Sequence, residues 1–135
     1  MMKLIQVIVL MMVLLCIINA CSLDRTNPLD PENNQNVNVP QQVTGLTLTS
    51  YGGVVYAKWN RFDNVSKYKL YRSLSHDGQF ELIATIENPS AGISEFVEYI
   101  DSNVQLRNYY YYKISAVSLQ GLEGPISPYK WVKVV

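Results

Sequence analysis

The sequence predicts an all-β sandwich of seven short strands between Pro40 and Val135. Three observations carry this. Short runs rich in Val, Ile, Thr, Tyr and Trp recur between clusters of Gly, Pro, Asn, Asp and Ser, the punctuation of strands and turns. No helical period of useful length appears. Tyrosine, at ten of 135 residues, is the compositional outlier and falls among those β-branched residues. A chain of this length has room for one sizeable core, not two.

The runs are Val43–Thr49, Val54–Trp59, Lys67–Ser73, Phe80–Ile86, Glu95–Ile100, Tyr109–Ser118 and Tyr129–Val135. Between them lie the turn clusters "SYGG", "NRFDNVS", "LSHDG", "ENPSAG", "DSNVQLRN" and "LQGLEGPISP". Seven strands in about 100 residues is the arithmetic of an immunoglobulin-like sandwich.

Side chains alternate across a strand, so each run splits into two faces. Val55, Ala57 and Trp59 share one face, as do Tyr68 and Leu70, against Lys67, Lys69 and Tyr71 on the other. Phe80, Leu82, Ala84 and Ile86 form an apolar face. The run "NYYYYKISAV" puts Tyr110, Tyr112, Ile114 and Ala116 on one side and Tyr109, Tyr111, Lys113 and Ser115 on the other. Four tyrosines in a row are therefore two pairs, one facing the core and one the surface. In the last run either Val132 and Val134, or Trp131, Lys133 and Val135, face inward.

Residues 1–20 stand outside the fold. Lys3, an apolar run from Leu4 to Ile18 broken by Gln6, and then Asn19, Ala20 and Cys21 have the layout of a secretory signal. The run of about 15 residues falls short of the roughly 20 that a membrane span needs, which makes an uncleaved anchor the weaker alternative. Ile18-Asn19-Ala20-Cys21 resembles the lipobox of bacterial lipoproteins. The resemblance implies cleavage before Cys21, acylation of its thiol, and a chain held in the cell envelope. Ser22 in place of Asp after the cysteine favours the outer membrane or cell surface over the inner membrane, which stays the alternative. Several acyl chains on one residue give stable attachment where a single chain is marginal. Cys16 would leave with the signal, so the mature chain would keep no thiol for a disulfide, a metal or nucleophilic catalysis. Residues 21–39 are rich in Asn, Asp and Pro and predict a flexible tether whose mean reach is on the order of 25 Å.

From Pro40 to Val135 the chain resembles a fibronectin type III domain. The residues that carry the resemblance are Pro40 with "VTGLTLTS", Trp59 in "VVYAKWN", "YKLYRS", "YID" with Val104 and "YYYKISAV", and the turn "GLEGPISP". It implies a core built on Trp59, Tyr68, Leu70, Val104, Tyr110, Tyr112 and Ile114. It also implies that the Tyr110 hydroxyl bonds back to the backbone a few residues upstream. The third, sixth and seventh strands would be neighbours in one sheet. The RGD tripeptide through which some members bind cells is absent.

Little in the sequence suggests catalysis. Charges balance at eleven basic and eleven acidic residues, which argues against a nucleic-acid partner. His76 in "SLSHDG" reads as a solvated turn residue, because the members of a catalytic triad meet through the fold rather than in sequence. Glu95 and Asp101 would stand about 20 Å apart on an extended strand, far beyond the spacing of a glycosidase pair, and Glu98 points to the other face. Asp101 reads as an acceptor for backbone donors at the corner. Glycine-rich phosphate loops, metal-ligand spacings and cofactor motifs are absent from the sequence.

The outward residues remain. Tyr71, Tyr109, Tyr111 and Trp131 would share one exposed face, with Lys69, Lys113 and Lys133 among them. Flat aromatics beside cations can stack on sugar rings or hold a protein. Tyrosine is also an ordinary residue for a solvated strand, and that plainer reading carries more weight. The sequence thus predicts a non-catalytic, lipid-anchored binding or scaffolding module. A carbohydrate- or peptidoglycan-binding accessory protein and a subunit of an envelope assembly are its alternatives.

Overall fold

The computed structural model describes residues 38–135. The predicted signal, Cys21 and nearly all of the tether lie outside the described residues. Seven strands form: β1 (Thr47–Tyr51), β2 (Val54–Asn60), β3 (Val65–Ser73), β4 (Glu81–Glu87), β5 (Phe96–Asp101), β6 (Tyr109–Ser118) and β7 (Lys130–Lys133). They pair antiparallel into a three-stranded sheet, β1-β2-β5, and a four-stranded sheet, β4-β3-β6-β7. β3, β6 and β7 are neighbours, as the resemblance implies.

The core lies between the sheets and follows the alternation. Val55, Ala57 and Trp59 of β2 meet Tyr68 and Leu70 of β3 and Tyr110, Tyr112, Ile114 and Ala116 of β6, all buried. Val104 packs against them, partly buried. Burying a large apolar side chain is worth about 1.5–3 kcal/mol, so this set supplies much of the driving force. Trp59 lies edge-on to Tyr68, ring centroids 5.5 Å apart, and its indole N–H has no acceptor among the described residues. In β7 and just after it, Val132 and Val134 face inward, while Trp131 faces out.

Three expectations are corrected. β1 begins at Thr47, not Val43. Gly45 sits at φ +73°, where a Cβ would also lie 2.6 Å from Asn60 Oδ1, and this left-handed kink keeps residues 43–46 out of the ladder. Val43 and Leu46 are buried nonetheless. In β4 the predicted face Phe80-Leu82-Ala84-Ile86 breaks. The register passes from Leu70↔Ala84 to Tyr71↔Leu82, skipping Ile83 as a β-bulge. Ile83, Ala84 and Ile86 pack on the core, while Leu82 is exposed and Phe80 lies beneath Lys113 Nζ, 4.2 Å from its ring centroid. Finally, Ser115 is buried rather than exposed. Residues 122–127 run alongside β6, with Ser118, Gly124 and Ser127 N–H donating to Leu122, Ala116 and Ile114 carbonyls at 2.8 Å each. On its other side Gly124 lets the Pro40 carbonyl come close, since a Cβ there would meet its oxygen at 2.4 Å.

Candidate binding face

The outer face of the four-stranded sheet divides into two zones. In the first, Glu123 reaches from the segment beside β6 to fasten three side chains. Its Oε2 accepts from Lys69 Nζ, and its Oε1 accepts from the Tyr71 hydroxyl at 2.6 Å and the Ser115 hydroxyl at 2.5 Å. Burial works to raise the Glu123 pKa. The hydrogen bonds from Lys69, Ser115 and Tyr71, with the Lys69 charge, outweigh it and lower the value from 4.5 to about 2. Burial, and then the hydrogen bond to Glu123, raise the Tyr71 pKa. Lys69 and Tyr71, both expected on the ligand face, are committed to this latch.

The second zone is open. Tyr109 pairs across the ladder with Lys133, and Tyr111 with Trp131. Period-2 alternation along β6 and β7 sets their rings on one side, so diagonal neighbours touch. Tyr109 and Trp131 centroids are 5.7 Å apart, and Tyr111 and Tyr129 are 5.6 Å apart. His76 in the β3–β4 loop adds a third ring to the second pair, 6.1 Å from Tyr111 and 6.2 Å from Tyr129. Trp131 is 58% exposed, Tyr109 46% and Tyr129 41%. Lys133 Nζ lies 5.6 Å from the Tyr109 centroid. Of the expected face, Tyr109, Tyr111 and Trp131 come together, and Lys113 sits over Phe80 instead. Sequence reading missed Tyr129 and His76. Tyr129 was two residues from Trp131 and so on its face. His76 is exposed, as a turn residue should be, yet its ring belongs to the row, and only the fold brings it there.

Beneath this face the buried Asp101 carboxylate is fully engaged. It accepts from the Tyr112 hydroxyl (2.8 Å), Arg72 Nη1 (2.7 Å) and the Asn103 N–H (3.0 Å). The expected backbone donor is present, and two side chains join it. Burial, and then the bond to Asp101, raise the Tyr112 pKa. The Tyr110 hydroxyl accepts from the Gln105 N–H at 3.0 Å. Among the described residues, no group of three or more His, Cys, Asp or Glu side chains is placed to hold a metal ion.

This strand order and corner bond are those of a fibronectin type III sandwich, and comparison with solved structures agrees. An Fn3-like protein from Clostridium thermocellum superposes with a TM-score of 0.57 at 27% identity, covering 69% of this chain and 91% of that one. Pectate lyase PelI from Erwinia chrysanthemi, solved with tetragalacturonic acid, gives 0.55 at 20% identity, covering 67% of this chain and 28% of that one. In sequence, an amylopullulanase of Thermoanaerobacter thermohydrosulfuricus is 30% identical over 96 residues, 71% of this chain. The chain spans only 6% of that enzyme's length. No family model matches the chain. The fold class is a fibronectin type III β-sandwich.

Proposed function

We propose that this chain is a non-catalytic glycan-binding module, held at the cell envelope by acyl chains on Cys21. The observation that carries the binding half is the outward row of Trp131, Tyr109, Tyr129 and His76, all exposed, with the half-buried Tyr111 among them. Aromatic rings fixed by a ladder offer flat apolar area with little side-chain entropy left to lose on binding. Sugar rings have apolar faces that fit such a surface. The names of the matched proteins, an amylopullulanase and a pectate lyase, are those of enzymes acting on polysaccharides. The chain matches a small part of each, which suits an accessory module rather than a catalytic one.

The test is retention on insoluble or immobilised polysaccharide. Full-length protein in a sugar-free detergent should be retained on at least one polysaccharide, and Trp131→Ala should reduce retention at least tenfold with unchanged thermal stability. Equal retention of both would end the glycan reading and point to a protein partner. The anchor is tested separately by mass spectrometry. The mature chain should begin at Cys21 and carry acyl mass, and Cys21→Ser should release it from membranes.

A further inference from the structure

A cleft of about 500 Å³ opens at the end of the sandwich, between the β3–β4 loop and the β5–β6 loop. Its volume falls within the range of about 300–1,000 Å³ usual for small-molecule sites. Arg72 lies against the Tyr110 ring, its Cζ 5.3 Å from the centroid, and both line the cleft. This guanidinium is fixed by Asp101 and by the Asn103 carbonyl at 2.6 Å. The cleft is also lined by the amides of Gln79, Asn103, Gln105 and Asn108. Gln105 and Asn108 hold each other, Asn108 Nδ2 donating to Gln105 Oε1 at 3.1 Å. Among the described residues the side-chain amides of Gln79 and Asn103 have no hydrogen-bond partner. Each offers two donors and an acceptor to whatever enters.

The charge is informative. Arg72 is neutralised by Asp101, and the remaining ionised side chain on the wall is Glu81, which has no ion pair among the described residues. A carboxylate there disfavours an anionic ligand. The Arg72 guanidinium, backed by the buried Tyr110 ring and surrounded by neutral amides, matches a polyhydroxylated, uncharged ring.

We infer that this cleft binds one or two units of a neutral saccharide, as a second subsite beside the aromatic row. The inference rests on the glycan reading above. The two sites share structure: the loop that lends His76 to the row lends Ser75, Gly78 and Gln79 to the cleft, and Asn108 of the cleft immediately precedes Tyr109 of the row. The row takes rings along a polymer. The cleft, bounded in volume, takes a short saccharide or a chain end.

The test uses full-length protein in sugar-free detergent, titrated calorimetrically with maltotriose, cellotriose and tetragalacturonic acid. A neutral trisaccharide should bind, tetragalacturonic acid should bind more weakly, and the double variant Gln79→Ala, Asn103→Ala should lose about tenfold in affinity for the trisaccharide, a few-fold per lost hydrogen bond. The side-chain amide NMR signals of Gln79 and Asn103 should shift on addition. Trp131→Ala should keep trisaccharide binding and lose the polymer. A double variant that binds the trisaccharide like wild type, or wild type that binds neither trisaccharide, would overturn the cleft as a subsite. Loss of polymer in Trp131→Ala would leave the row standing in that case. Preference for tetragalacturonic acid would overturn the neutral ligand class.

Discussion

The inner and outer tyrosines of one strand differ in what their hydroxyls do. Tyr110 and Tyr112 are buried, and each hydroxyl has a fixed partner, the Gln105 N–H and the Asp101 carboxylate. Tyr109 and Tyr111 point outward, and among the described residues neither hydroxyl has a hydrogen-bond partner. Their contacts are ring to ring. The inner pair is consumed by the fold, while the outer pair is held in place by it and left available. Two residues further along the same outer face, Lys113 covers Phe80, and beyond it Ser115 is taken by Glu123. The available surface is therefore the Tyr109 end of β6 and not the whole sheet.

Substitutions should break this contrast in graded fashion. The largest effect belongs to Tyr112→Ala, which opens a cavity in the core and leaves Arg72 and Asp101 without the hydroxyl. Urea denaturation should show a loss of about 3–5 kcal/mol. Next comes Tyr110→Phe, which keeps the ring and leaves the Gln105 N–H without its acceptor. Its cost should be about 1–2 kcal/mol, with the sheet's circular dichroism unchanged.

Glu123→Gln sharpens the boundary between latch and row. It removes the anion that Lys69, Tyr71 and Ser115 share, at a cost of about 1–2 kcal/mol near neutral pH, kept modest by solvent around Lys69. The pH dependence has a definite sign. The folded Glu123 pKa, about 2, lies below the ordinary 4.5. Its stabilisation is thus full above about pH 4.5 and is lost as pH falls through about 2. The gap between wild-type and Glu123→Gln urea midpoints should shrink across that window, and a gap constant with pH would contradict the latch. The smallest stability effects should be those of Tyr109→Ala and Tyr111→Ala, each under about 1 kcal/mol, since they lose only cross-strand ring contacts.

The sequence made most of this legible because period-2 alternation is local information. Alternation puts Tyr68 with Leu70, and Tyr110 with Tyr112 and Ile114, on shared faces. The resemblance turns those faces and Trp59 inward, and the structure buries all six. Parity fails where a register changes or a distant segment returns. The bulge at Ile83 turned Leu82 outward, and nothing in "FELIATI" marks it. The burial of Ser115 and the diversion of Tyr71 and Lys69 both depend on Glu123, which stands 52 residues from Tyr71 in sequence. His76 enters the aromatic row through a loop whose path the sequence does not encode by pattern. The core and the grouping of Tyr109, Tyr111 and Trp131 were therefore readable, while the addition of His76 and the loss of Lys69 and Tyr71 to Glu123 were not.

The most direct measurement is tryptophan fluorescence of the full-length protein, titrated with a polysaccharide that retains it. Trp59 is buried and serves as a silent reference, while Trp131 is exposed beside Tyr109. A saturable change in emission is expected, absent in Trp131→Phe and weakened at least several-fold in Tyr109→Ala. Binding that leaves Trp131 emission untouched, or that survives both substitutions at full strength, would contradict the row as the binding surface.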